Sequence, residues 1–242
     1  MAQKIKSISE LNELIQSDII IKPDRPKQLM DQNKFNEIFL KILNNAVLVA
    51  SKGQRSLQIT SENDWLFQVI MAYLNRNESD KALTYTIELD DKTISRTLDL
   101  NKGITLLGSF GVGKSLLLRC IYENRGQLGL NGYFVDSRQI FDAPKNNLHT
   151  IIGHEKCCLF IDDLGDEPIK SVDYGQEDAP VASVLKRRLD AWEIFPESPR
   201  LFISSNCGMK ILKDRYGGRI ISRIHGATNV IITRQSTDYR KI

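Results

Sequence analysis

The chain is short of most features that would send it to a membrane, a metal or an oxidising compartment. No apolar run comes near the ~20 residues that span a bilayer, and the opening MAQKIKSISELNEL lacks the apolar core of a signal peptide. A cytoplasmic location without a membrane partner is expected. Four cysteines occur, Cys120, Cys157, Cys158 and Cys207, and none forms a CxxC pair. That pattern argues against a zinc ribbon or a disulfide framework and for buried thiols in a reducing compartment. The three histidines, His149, His154 and His225, share no metal-ligand spacing. Charge of one sign is scarce as well: 33 Lys and Arg stand against 30 Asp and Glu, a net +3. No polybasic tail is present, so any nucleic-acid contact must come from a local patch. Aromatic residues make up 7% of the chain and are not interleaved with basic ones in the manner of a base-stacking platform. Internal repeats and low-complexity segments are absent.

What is there is a globular composition. The 242 residues are 41% hydrophobic and 26% charged, which suits one sizeable core and a small second domain. Apolar positions 8, 11, 14 and 15 predict a short amphipathic helix over 8–18, and the Pro-punctuated IKPDRPKQ (21–28) predicts a linker. Phe35, Ile38, Phe39, Ile42 and Leu43 line one side of a second helix over 33–50, broken by SKGQRS (51–56). Such a short segment cannot bury those faces alone, so they pack on the following domain or on a partner. A third helix spans 63–76, with Asn63 or Asp64 as N-cap. A small, mainly helical N-terminal partner-binding region over 1–60 is expected, followed by one domain over 61–242.

From about residue 100 the pattern changes. GITLLG (103–108), GYFVDS (132–137), CCLFID (157–162), LFISSN (201–206) and NVIIT (229–233) alternate with helical stretches. Short apolar runs bounded by turn residues read as strands buried on both faces, and their alternation with helices reads as a mostly parallel α/β sheet.

GSFGVGKS, Gly108 to Ser115, fits G-x-x-x-x-G-K-[ST] between a predicted strand and a predicted helix. Gly108, Gly111 and Gly113 allow backbone that side chains would block. The N–H groups of Ser109, Phe110, Val112 and Leu116 then join an anion nest at a helix N-terminus. Lys114 sets a cation on the terminal phosphates, and the Ser115 hydroxyl ligates Mg²⁺. LFIDDLGDE (159–167) ends an apolar strand in two carboxylates. Asp162 would hold Mg²⁺; Asp163 would polarise the attacking water, with Glu167 as an alternative base. Asn206, at the tip of LFISSN, could orient that water. YGGRIISRI (216–224) puts Arg219 and Arg223 on one helix face; a solvated face, or pairing with nearby acids such as Asp214, is the plainer alternative.

GSFGVGKS, LFIDDLGDE, LFISSN and YGGRIISR stand in the order seen in AAA+ ATPases, and over residues 62–242 the chain resembles the DnaC-type helicase loaders and their relative IstB. The resemblance implies a P-loop AAA+ three-layer fold with a mostly parallel five-stranded sheet and no separate C-terminal lid domain. It implies ATP and Mg²⁺ as ligands and slow hydrolysis, because Asp163 stands where many of these ATPases carry Glu. It assigns Asn206 as the sensor, Arg223 as an arginine finger given in trans, Arg219 as its support and Arg240 as a nucleotide contact in cis. The partners implied are a replicative helicase, single-stranded DNA and further copies of the chain in the ATP state. Lys186, Arg187 and Arg188, with Lys145, are the candidate DNA contacts. An IstB-like transposition helper on duplex DNA and a nearly non-hydrolysing nucleotide-gated adaptor are the competing readings; a small-metabolite kinase would not need the arginine pair.

Overall fold

The structure, a computed structural model, describes residues 28–61, 63–77, 79–89, 92–144, 157–169, 171–173, 176–194 and 200–233. The expected helix at 8–18, most of the linker, Lys145, His149, His154 and Arg240 lie outside the described residues.

Helix α1 (Gln32–Ala50) starts where the Asp31 side chain accepts hydrogen bonds from the N–H groups of Asn33 and Lys34. It is followed by α2 (Asp64–Leu74) and the single turn α3 (Asp80–Leu83). Strands β1 (Thr84–Leu89) and β2 (Lys92–Thr97) then pair antiparallel, with Thr84 opposite Thr97. The alternating TYTIEL and KTISRT carry the period of such a pair, a signal not used in the sequence reading.

The remaining chain runs β3 (Gly103–Gly108), α4 (Lys114–Glu123), β4 (Gly132–Asp136), α5 (Ser137–Asp142), β5 (Cys158–Asp162), β6 (Ser171–Asp173), β7 (Gln176–Asp178), α6 (Pro180–Ile194), β8 (Leu201–Ser205), α7 (Met209–Tyr216), α8 (Gly218–Ala227) and β9 (Thr228–Thr233). All five expected strands are present. They form one sheet in the order β4-β5-β8-β3-β9, and every neighbouring pair is parallel.

Two hydrophobic cores cover the two faces of this sheet, giving three layers. Strand alternation sorts the side chains. Phe160 and Phe202 point to one face and stack at 4.5 Å between ring centroids. Leu159, Ile161, Leu201 and Ile203 point to the other, under α6, α7 and α8. Phe35, Phe39 and Leu43 of α1 belong to the same core as α2, β3 and α4, so packing on the following domain is what that face does. Ile38 and Val49 (79% exposed) remain outward on α1. The β1–β2 pair is tied down by Tyr85, which stacks on Trp65 and donates to the carbonyl of Val230 at 3.1 Å.

All four cysteines are free; Cys120 and Cys158 are buried, while Cys157 and Cys207 are half-buried. Burial pushes the Cys120 thiol up to about 12, which leaves it unreactive at neutral pH. Among the described residues, no helix is long and apolar enough to cross a membrane.

Candidate functional site

Parallel strands end together, so the loops after β3, β5 and β8 meet at one edge of the sheet. The loop after β3 requires glycine at two positions for different reasons. A Cβ on Gly108 would lie 1.9 Å from the Thr233 hydroxyl oxygen, while Gly113 sits at φ +86 in open space and hands its bare backbone to the start of α4. Between them Phe110 is 63% exposed at the rim.

Lys114 is buried and all three of its ammonium donors are directed. They reach the carbonyls of Gly108 (2.9 Å) and Ser109 (2.7 Å) and the Asn206 Oδ1 atom (2.8 Å). The Asn206 Nδ2 group donates in turn to Asp163 Oδ1 at 2.9 Å. One amide therefore joins the P-loop cation to the carboxylate at the tip of β5. The structure brings Lys114, Asn206, Asp162 and Asp163 together as expected, with Ser115 beside Lys114 in the first turn of α4.

Two serines organise this cluster. Ile161 pairs with Ile203 across β5 and β8, and one residue further on Ser204 lies beside Asp162. The Ser204 hydroxyl donates to Asp162 Oδ1 and accepts the Asp163 N–H at 3.0 Å. Ser137, fully buried at the start of α5, donates to the Asp163 carbonyl at 2.8 Å. Asp163 is thus gripped on both sides of its α-carbon, at φ +49. Its pKa is raised by burial, reinforced by the charges of Asp162, Asp136 and Asp166; Lys114 opposes the shift.

Glu167 is no base. It is 3% exposed and its carboxylate accepts from the Gly165 N–H (3.0 Å), Arg215 (3.3 Å) and the Tyr216 hydroxyl. Burial works against its charge, but these donors, Tyr216 foremost, win and hold its pKa below the usual carboxylate range. It ties the turn after β5 to the end of α7.

A cavity of about 830 Å³ opens along the P-loop, within the general range of small-molecule pockets. Gly111 to Leu117, Asn206 and Thr233 form one side, and the segment from Ser51 to Gln58 with Leu66 and Phe67 forms the other. That second wall was read from sequence only as a helix break. Side chains fix its backbone: Asn44 accepts from the Leu57 N–H (2.8 Å), Ser51 from the Arg55 N–H (3.0 Å) and Asn63 from the Thr60 N–H (2.7 Å). Asn63 also donates to the Gln58 carbonyl, and it makes no side-chain cap to α2.

Arg219 and Arg223 do not line this cavity. Arg219 is exposed in the first turn of α8. Arg223, one turn later, pairs with Asp190 and Glu193 of α6, and not with Asp214. Lys186 and Arg187 are exposed on α6. Arg188 is 7% exposed and donates to the Cys157 carbonyl at 2.8 Å, so a DNA contact through Arg188 is corrected to a structural role.

A late strand inserted between the P-loop strand and the strand bearing the acidic pair, with its tip amide bridging the two, is the arrangement of the P-loop AAA+ fold, and this chain has that fold. Its structural neighbours are P-loop ATPases of that class. The replication initiator DnaA bound to AMPPCP and single-stranded DNA matches with 16% identity over 76% of this chain and 50% of that chain, at a TM-score of 0.50. A DNA replication initiation factor matches with 14% identity over 76% of this chain and 50% of that one, also at 0.50. The DnaC helicase loader matches with 19% identity over 74% of this chain and 94% of that chain, at 0.44. The chain spans about half the length of the initiator chains it matches. No protein-family model matches the sequence, and no curated protein matches it.

Proposed function

We propose that this chain is an ATP-dependent loader of a replicative DNA helicase onto single-stranded DNA, with slow ATP hydrolysis acting as an assembly switch. The ATPase part is carried by one observation, the hydrogen-bonded line from Lys114 through Asn206 to Asp163. A γ-phosphate bound between them takes up the ammonium that now bonds the Ser109 carbonyl and the Asn206 oxygen. The P-loop N–H groups hold the β-phosphate. The cavity wall from Ser51 to Gln58 receives the nucleoside.

The residues present also fit Mg²⁺. Among the described residues no group of three acidic, His or Cys side chains forms a protein-only metal cage. Ser115 and Asp162 offer one hydroxyl and one carboxylate, a set that suits an ion which keeps water and phosphate oxygens as its other ligands. When bound, it neutralises charge on the β- and γ-oxygens. Asp163 accepts the proton of the attacking water while the Asn206 amide orients that water, and ADP and phosphate leave. The Asp163 carboxylate is one methylene shorter than the usual Glu, which makes turnover slow. A cation from α8 of a neighbouring copy completes the charge around the γ-phosphate, so ATP joins protomers and hydrolysis loosens them.

Helicase loading rests on the order of motifs that resembles the DnaC-type branch; one structural neighbour, the initiator solved with single-stranded DNA, agrees with that DNA form. Lys186 and Arg187 supply phosphate contacts on α6. The N-terminal region holds the helicase, with Ile38 and Val49 outward on α1. ATP turnover is measured with single-stranded and with duplex DNA. Stimulation by single strands, with capture of a hexameric helicase by the full chain, is expected. Stimulation by duplex alone would make it a transposition helper, and no turnover under any condition would make it an adaptor.

A further inference from the structure

Parallel strands that end together also begin together, so the sheet has a second edge, at the far end of the strands from the P-loop. Basic side chains collect along it. Arg200 directly precedes β8, and Lys102 directly precedes β3. His225 lies in the last turn of α8, which runs straight into β9, and Arg96 lies on β2 opposite Tyr85. Arg76 follows α2 and donates to the carbonyl of Leu128, in the turn before β4, at 3.2 Å. The strand order sets these positions out across the width of the sheet. Arg76 stands on the β4 side, then Arg200, then Lys102, then Arg96 and His225 beside β9. With adjacent strands ~4.8 Å apart, the row is ~20 Å long.

The backbone under this row is fixed. Asn229 accepts the Asp99 N–H (2.8 Å) and donates to the carbonyls of Asp99 (2.8 Å) and Gly103 (3.0 Å), which holds the turn that carries Lys102. The hydroxyl of buried Tyr73 donates to the Lys102 carbonyl at 2.5 Å and accepts from Arg200 Nη1 at 3.2 Å, so these two residues are neighbours. The charges themselves are left uncompensated. Among the described residues none of the five forms an ion pair. Asp99, the acid of that turn, accepts the Asn101 N–H at Oδ1 instead.

Three local rules are broken together here. Arg76 takes φ +57, the helix-ending conformation that favours glycine. Arg76 and Arg200 lie close enough to repel; burial, and then the Arg200 charge, lower the Arg76 pKa. His225 stands beside Arg96 and Lys102, and burial followed by those two charges lowers its pKa as well. Like charges crowded in this way work against the free protein, and a polyanion relieves them. The whole chain carries only +3, so this edge concentrates charge that the rest of the surface balances.

We infer, on the reading above that the chain binds DNA, that this row is a track for the phosphate backbone of a nucleic-acid strand. A line of cations as long as the sheet is wide matches a linear polyanion. Arg76 and Arg200 each spend one printed donor on the protein, and their other guanidinium N–H groups are not sealed from solvent, which suits phosphate oxygens. The track lies a strand's length from the nucleotide cleft, and on different elements from Lys186 and Arg187 of α6.

Oligonucleotide affinity of the full chain, measured over a salt series with single-stranded and with duplex DNA, tests this. Arg96→Ala with Lys102→Ala removes two cations that hold no ion pair among the described residues. The slope of log affinity against log salt is expected to lose about 1.4 in magnitude for a single strand, or about 1.8 for a duplex, as two phosphate contacts are worth. An unchanged slope overturns the inference. If Lys186→Ala with Arg187→Ala alone lowers the slope, DNA binding stands, but α6 carries it and the track is overturned. Arg76→Gly relieves both the backbone and the crowding, so weaker binding is expected from a chain that melts no lower than the wild type. A lower melting temperature with unchanged affinity would make Arg76 a brace for the turn before β4, and would also overturn the inference. A wild-type chain that binds poly-glutamate but neither form of DNA overturns the DNA reading underneath, before any residue is changed.

Discussion

Asp163, the base in the proposed function, sits in a backbone conformation that few non-glycine residues adopt, and its neighbours explain why it stays there. Ser204 holds its N–H, Ser137 its carbonyl and Asn206 its carboxylate. Asp163→Asn keeps the shape and removes the base; turnover is expected to fall by about 10²-fold or more with nucleotide binding retained. The raised pKa fixes the sign of the pH response. The base must be ionised, so turnover falls as pH drops through a pKa that lies above that of an ordinary Asp. Burial is the main cause and the Asp136 charge a further one. Asp136→Asn, which still caps α5, is therefore expected to move the acid limb of the turnover profile to lower pH. The same shift means that Asp163 favours the fold at low pH, and that contribution is lost as pH rises through its folded pKa. Lys114, Ser115, Asp162, Asp163 and Asn206 were legible because each sits in a short, nearly contiguous pattern. Ser204 and Ser137 were not, because their roles depend on which strands pair and in what register.

Among the elements, the turn after β5 and the end of α7 are held as one piece by Glu167, Arg215 and Tyr216. Glu167→Ala would leave Arg215 without its carboxylate in a largely buried place, a cost of about 3 kcal/mol at neutral pH. The folded pKa of Glu167 lies below its unfolded value, so its stabilisation is present above the unfolded pKa and fades as pH falls through the folded one. Denaturant melts of wild type and Glu167→Ala should accordingly converge on acidification; a gap independent of pH would assign the loss to packing instead. The strands were readable because buried parallel strands are short apolar runs with turn residues at both ends. The wall from Ser51 to Gln58 was not, since its fixing partners lie far apart in the chain, Asn44 on α1 and Asn63 just before α2. Composition likewise gave no way to choose between the body and a partner for Phe35 and Phe39.

At the scale of the whole molecule, the nucleotide cleft draws on elements from α1 to β9, so ligand binding acts on global stability. MgATP at a hundredfold over its dissociation constant is expected to stabilise the wild type by about 2.7 kcal/mol and to raise its thermal midpoint. Lys114→Ala should lose most of that shift, and an equal shift in both would place the nucleotide elsewhere. Strand–helix alternation identified the fold class, yet the order β4-β5-β8-β3-β9 is written in no local pattern; it follows from how the layers close. That order has a consequence for biosynthesis. Strand β8, residues 201–205, is the wedge that joins the P-loop strand to the strand with the acidic pair. A nascent chain that has emerged only through α6 holds both halves of the cleft with nothing between them. On the proposed function, the site therefore cannot assemble until residues 201–205 have left the ribosome, and a product that stops before residue 201 lacks the strand that joins Lys114 to Asp163.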